Sequence, residues 1–200
     1  MAMQSSPLTT WTWVRHAPST MSGRFCGQSD PELDATKTQD YGPIAGALAK
    51  EYQVYVSPLI RATQTLDRLV RAGFRPGAIC TSALIVEQNF GRLEGERYDS
   101  VALPDSAEGL ATWQPPDGES FAELVARVRS FMAQERRKTS SADVSVICHA
   151  GVIRAALAVA LDIAPSHALA FAIEPLSRTA LTLSSGGHWQ VAYVNRTGAI

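Results

Sequence analysis

The sequence has no excess of charge of either sign. Eighteen Lys and Arg stand against nineteen Asp and Glu, a formal net charge of -1. That removes the broad basic footprint by which a chain holds a nucleic-acid backbone or an anionic membrane surface. Cysteine is scarce: Cys26, Cys80 and Cys148 lie far apart, and no CxxC pair occurs. Neither a zinc knuckle nor a disulfide framework is signalled, and a reducing, cytoplasmic setting is the simplest expectation. No apolar run is long enough to span a bilayer. The most apolar stretch, Val152 to Ala164, is interrupted by Arg154 and Asp162 and reads as a buried helix. The first residues lack the basic-then-apolar pattern of a secretory leader. With no internal repeat, low-complexity tract or linker, one domain over residues 1–200 is expected.

What is present suffices for a core. Hydrophobic residues make up 46% of the 200 and charged residues 18%, which argues against disorder. A chain of this length buries roughly 70% of its unfolded surface. Trp11 to Val14 reads as a strand stopping at Arg15-His16, and residues 54–58 as a second strand ending at a proline. Ile44 and Leu48 suggest a short helix between them. From Leu59 to Ala72, the residues Ile60, Thr63, Leu66, Leu69 and Val70 recur at helical spacing, and Gly73 closes the run. Ala78 to Leu84 alternates like a strand. Asn89 to Pro116 reads as loop with one short helix, and Phe121 to Lys138 as a strong helix. VSVIC (144–148) is a buried strand with a helix starting just after it. TALTL, SSGG and HWQVAYV form a terminal hairpin, whose edge is a possible homodimer contact. The alternation predicts an α/β fold, a three-layer α/β/α sandwich around a mostly parallel sheet.

In such sheets ligands bind beyond the carboxyl ends of the strands, and four junctions there carry reactive side chains. Arg15-His16 ends the first strand. Ser57-Pro58-Leu59-Ile60-Arg61 follows the second and places a guanidinium in the first turn of a helix. The helix dipole disfavours a cation there, so an anion shared between the guanidinium and the helix N-terminus would rationalise it. Cys148-His149-Ala150-Gly151 puts a second histidine at another junction, and Glu87 lies past the third strand-like segment.

These segments carry a resemblance. WVRHAPS is similar to the RHG signature of the histidine phosphatase superfamily, the phosphoglycerate-mutase-like fold. SPLIRATQT, EQNFGRLEG and CHAGVIRAAL resemble its arginine, acidic-residue and second-histidine segments, in the family's order. The resemblance implies that His16 attacks phosphorus, that Arg15, Arg61 and His149 grip the phosphoryl oxygens, and that Glu87 is the proton donor, with no metal and no organic cofactor. It implies substrate contacts at Ser22, Gly27, Gln28 and Ala150, with Arg24 nearby. It also implies a neutral His16, favoured by the guanidinium charge, and a His149 protonated with the help of the bound phosphate's charge. Ala17 and Pro18 depart from the family's common Gly and Glu, Ser22 stands where many members carry Asn, and Cys148 where a small hydroxyl residue is frequent.

The expected activity is hydrolysis of a small phosphorylated metabolite, since a mutase of this family carries extra segments that close its site. The RHAPS…GRFCGQSD run is most similar to the α-ribazole-phosphatase branch. A phosphotransferase of the phosphoglycerate-mutase type and a non-catalytic phosphate-binding module are alternatives. Cys148 to Arg154 also reads as C-x5-R, the cradle of cysteine-dependent phosphatases, with Trp113 to Asp117 as its acid loop.

Overall fold

The computed structural model describes residues 9–48, 52–138 and 143–198. Six strands form one sheet: β1 (Thr9–Arg15), β2 (Gln53–Val56), β3 (Ile79–Thr81), β4 (Val144–Cys148), β5 (Arg178–Leu183) and β6 (Trp189–Arg196). Their order is β3-β2-β4-β1-β5-β6. The first four run parallel, and the β5–β6 hairpin adds antiparallel at one edge. The helices are α1 (Gly42–Ala47), α2 (Ile60–Arg71), α3 (Ala107–Thr112), α4 (Phe121–Arg136), α5 (Ala150–Leu161) and α6 (Pro165–Ala168).

The period of two along the strands sorts the core into two layers. Trp11, Trp13, Tyr55, Val144, Val146 and Cys148 face one side, with α4 and α5 packed on them. There Phe131 of α4 meets Trp11, Trp13 and Tyr55 edge-on, with ring centroids 5.2–6.2 Å apart. Val14, Val54, Val56 and Ile147 face the other side, against α1 and α2. The three-layer sandwich is therefore as expected, with both faces of the parallel strands covered.

Local chemistry sets the ends of the elements. Ser120 and Glu123 form a reciprocal capping box at the start of α4, a device worth about 1 kcal/mol. The strand expected over Ala78 to Leu84 is shorter. It lies at the sheet edge with all three of its residues exposed. The Ser82 hydroxyl then accepts from the Leu84 amide and starts a 3-10 turn at Ala83–Ile85.

The stretch expected to be loop with one short helix, 89–116, contains that helix as α3 and two further short 3-10 turns, and it is closed at its base by main chain. The Arg92 amide donates to the Pro116 carbonyl (3.0 Å) and the Glu119 amide to that of Asn89 (2.9 Å). Gly91, at φ +54°, sits where a Cβ would collide with the Pro116 carbonyl, so only glycine fits this neck. Among the described residues, no helix is long and apolar enough to cross a membrane.

Candidate active site

The parallel ladder runs directly into the site. The His16 amide donates to the Cys148 carbonyl (2.9 Å) and the Ser57 amide to that of Ile147 (3.0 Å), so these residues extend β1 and β2 by one bond each. Side chains on such rigid ends hold their geometry better than loop residues do. The His16 ring is 7% exposed. Its Nδ1 lies 2.6 Å from the Ala17 carbonyl, which can only accept. Nδ1 therefore carries the proton and Nε2 the lone pair. Arg61 Nε donates to that Nε2 at 3.3 Å. The His149 ring centroid is 5.1 Å from that of His16, and its Nε2 is 2.7 Å from the Ser57 hydroxyl.

Arg61 is 1% exposed and also donates to the carbonyls of Gly27 and Ser29, both at 2.7 Å. Its guanidinium thus folds the loop after β1 over the site. The expectation that the N-terminus of α2 shares a phosphate with Arg61 is corrected: the Asp30 carboxylate accepts from the Ile60 amide (2.6 Å) and caps that helix. Arg15 donates from Nη1 to the Ile173 carbonyl (2.6 Å), while its buried Nε has no protein partner. His149 Nδ1 is likewise buried without one. Two unsatisfied polar atoms beside His16 suit an oxyanion, because each is costly to bury unpaired.

Glu87 lies against the start of α5 and lines the same cavity. Its carboxylate accepts from the Gly151 amide (3.1 Å) in the first turn of α5 and from the Gln88 amide (2.9 Å). A Cβ on Gly151 would strike Glu87 Oε1. Gly151→Ala is therefore expected to push the carboxylate away. Hydrolysis of alkyl phosphates should fall by roughly tenfold or more, within the range of a lost general acid, while α5 gains helix propensity and the thermal midpoint does not drop. Steady-state rates and a melting curve on the same preparation check this. Arg127 of α4 anchors the other side of Glu87. Its guanidinium donates to the carbonyls of Leu84 and Val86 and pairs with Glu119.

Burial, then the Arg61 charge, lowers the His16 pKa to about 3; Arg15 adds to the shift and the Ala17 hydrogen bond opposes it. Burial, more than the guanidinium charge expected from sequence, keeps this imidazole neutral. The expectation of a protonated His149 is not met by the protein alone. Its ring is fully buried, and burial followed by His16, Arg61 and Arg15 pushes its pKa well below the ordinary range. Only an anion's charge could offset those repulsions.

Both shifts are depressions, so below pH 6.5 the unfolded chain binds protons that the folded one refuses, down to about pH 3 for His16. Stability is full above 6.5 and is lost as pH falls through that window. Urea unfolding should show a free energy rising with pH, by up to about 1.4 kcal/mol per unit for each histidine. The slope should shrink in His16→Asn. An unchanged slope removes His16 as its source.

These groups surround a cavity of about 260 Å³. Arg15, His16, Arg61 and Glu87 line it, as do Ser22, Gly27, Ala150 and Arg24. His149 is fully buried and is not among the lining residues. Gln28 is not on the lining; its amide group reaches the Glu87 carbonyl (3.1 Å) from the exposed side. Ala17 needs no glycine, because its φ is not positive. Its buried amide donates to Thr65 Oγ1 (2.9 Å), and its carbonyl orients His16.

The cysteine-phosphatase alternative loses its nucleophile. Cys148 is fully buried in β4, away from the cavity lining, and burial raises its pKa well above that of an ordinary thiol. Asp117, its would-be acid, pairs with Arg92 on the surface at 2.6 Å.

Sequence reasoning missed several positioning residues. Ser57 orients His149, Thr65 fixes the loop after β1, and Gln64 Oε1 accepts from the Leu33 amide (2.9 Å). The Glu94 carboxylate takes the Gln28 amide together with the amide and hydroxyl of Ser29. The first three lie inside SPLIRATQT, where polar residues in an otherwise amphipathic helix start are the available signal.

A sheet whose parallel strands deliver paired histidines, two guanidiniums and a carboxylate to one cavity defines an α/β protein built to hold a phosphoryl group. Residues 12–197 match the histidine phosphatase superfamily (branch 1), and the chain belongs to that family. A bifunctional protein of Mycobacterium tuberculosis is 29% identical over 196 residues, spanning 92% of this chain and 53% of that protein. A 2,3-bisphosphoglycerate-dependent phosphoglycerate mutase of Nitrobacter winogradskyi is 29% identical over 135 residues, 61% of this chain and 65% of that enzyme. The chain thus spans about half the length of the first of these relatives. An Escherichia coli structure provisionally assigned as an alpha-ribazole-5'-P phosphatase superposes with a TM-score of 0.81 at 16% identity, covering 96% of this chain and 98% of that one. That likeness is one of fold.

Proposed function

We propose that the pocket hydrolyses phosphomonoesters of small metabolites through a phosphohistidine on His16 Nε2. The observation that carries the reading is the His16 tautomer: Nδ1–H is held by the Ala17 carbonyl, leaving a buried Nε2 lone pair beside Arg61. In the first step Nε2 bonds to phosphorus, the bond from phosphorus to the ester oxygen breaks, and Glu87 gives that oxygen its proton. In the second step water attacks phosphorus, Glu87 takes the water proton, and the bond from phosphorus to Nε2 breaks. Neutral His16 returns and inorganic phosphate leaves. Arg15, Arg61 and His149 bind the non-bridging oxygens, where positioning and charge supply most of the catalysis. The reading requires no metal and no organic cofactor.

A phosphotransferase shares the first step and differs only in what accepts the phosphoryl group. The likeness to the Nitrobacter mutase favours that second reading. Hydrolysis is preferred because the cavity opens past Ser22, Gly23 and Arg24, all exposed, so water reaches the intermediate. α-Ribazole phosphate is the finer substrate candidate, supported by the RHAPS…GRFCGQSD run. The partners in this reading are that small substrate, no nucleic acid and no membrane, in a reducing cytoplasm. Pairing of a second copy along the β6 edge is tested by sedimentation equilibrium, a single species of one chain's mass overturning it.

Rapid acid-free quench with labelled substrate tests the chemistry. An acid-labile phosphoenzyme is expected, retained in Cys148→Ser and absent in His16→Ala. A label lost with Cys148 instead would sink the reading. Glu87→Ala should slow alkyl phosphates by roughly a hundredfold or more while sparing p-nitrophenyl phosphate, whose leaving group needs little protonation. Equal losses on both remove Glu87 as the acid.

A further inference from the structure

We infer that the alcohol part of the substrate carries a flat apolar ring; the inference rests on the phosphoryl site at His16 proposed above. A second cavity, of about 490 Å³, opens directly from the first. The two share Arg15, Gln88, Phe90 and Ala150 among their walls, so a group attached to a phosphate at His16 extends into it. Beyond the shared wall it is lined by Phe25, Leu103, Leu110 and Trp113. Phe25 packs edge-on against Phe90 and Tyr98, with centroids 5.0 and 4.7 Å apart, which makes a fixed aromatic wall.

Gln88 and the two arginines on this wall each hold a main-chain carbonyl, though Arg15 Nε has no protein partner. The Gln88 amide donates to the Glu119 carbonyl (2.9 Å), and Arg154 Nε to that of Phe171 (2.8 Å). Among the described residues no carboxylate lines the annex, so a cationic group finds no counter-charge from them. Beyond the shared wall, Phe25, Leu103, Leu110 and Trp113 offer a sugar's hydroxyls no acceptor, whereas an apolar ring gains by leaving water against them. Tyr98 and Leu103 are 50% and 36% exposed, and large apolar side chains left open to solvent are few among the described residues. Their position at the mouth of the annex is where a bound ring would cover them.

The test compares 2-naphthylmethyl phosphate with glycerol 3-phosphate. Both release a primary alkoxide, so the demand on Glu87 is similar. The naphthylmethyl ester should have the higher kcat/KM by roughly tenfold or more. Tyr98→Ser and Leu103→Ser, each checked by a melting curve, should each lower that ratio at least about threefold. A ratio near one, or a ratio unmoved in both variants, overturns the inference while p-nitrophenyl phosphate turnover and the phosphoenzyme show that the phosphatase reading stands. No turnover of any ester and no phosphoenzyme overturns both.

Discussion

His16→Ala is expected to lower kcat/KM for every phosphomonoester by roughly ten-thousandfold or more, the scale of losing a covalent nucleophile. The loss is confined to chemistry. The guanidiniums of Arg15 and Arg61 are anchored by carbonyls rather than by His16 alone, so the variant should still bind vanadate or inorganic phosphate within a few-fold of the wild type. Removing a ring held neutral by burial also removes one source of acid sensitivity, so the variant should lose less stability on moving from pH 7 to pH 5. Isothermal titration, steady-state kinetics and urea melts on one preparation separate the three readouts. Retention of a tenth of the activity would place the nucleophile elsewhere.

Arg61→Ala is expected to be the next most damaging change, because it strikes both fold and chemistry. Its guanidinium is almost fully buried and bridges the Gly27 and Ser29 carbonyls to His16. Each carbonyl left unpaired in a buried place costs about 1–3 kcal/mol, so the thermal midpoint should fall visibly. Loss of a charge that meets the developing oxyanion should lower kcat by roughly a hundredfold to a thousandfold, with KM rising as well. Arg61→Lys should recover the midpoint better than the rate, since one ammonium cannot span two carbonyls and an oxyanion in the fork geometry of arginine. If KM alone moved, the guanidinium would serve ground-state binding only.

The parts of this site that were legible in the sequence are those with local signals. Trp11 and Trp13 alternate with Thr12 and Val14, which announced a strand and, at its end, Arg15 and His16. Arg61 stood out because a cation in the first turn of a helix works against the dipole. The organising contacts that were not legible join residues far apart in the chain: Asp30 with Ile60, Ala17 with Thr65, and Ser29 with Glu94. None leaves a periodic trace. Gln28 was placed on the substrate by motif position; its amide group donates to the Glu87 carbonyl, a contact between distant segments that no motif signals. The charge state of His149 depends on burial among three cations and the other histidine, and burial of a single side chain is a property of the assembled layers. The segment from Asn89 to Pro116 resisted reading because its short turns follow no helix or strand period.

The neck beneath that segment separates the residues of the proposed chemistry from those that would choose the substrate. Glu87 and α4 are tied down outside the clasp of 89–92 with 116–119, while Tyr98, Leu103, Leu110 and Trp113 all lie within it. Residues 94–98 pair with the loop after β1, so the exchangeable part is residues 99–115. A graft of another length or composition onto the same clasp would change substrate preference with the catalytic apparatus left in register, an evolutionary route to new specificities and a practical one for engineering them.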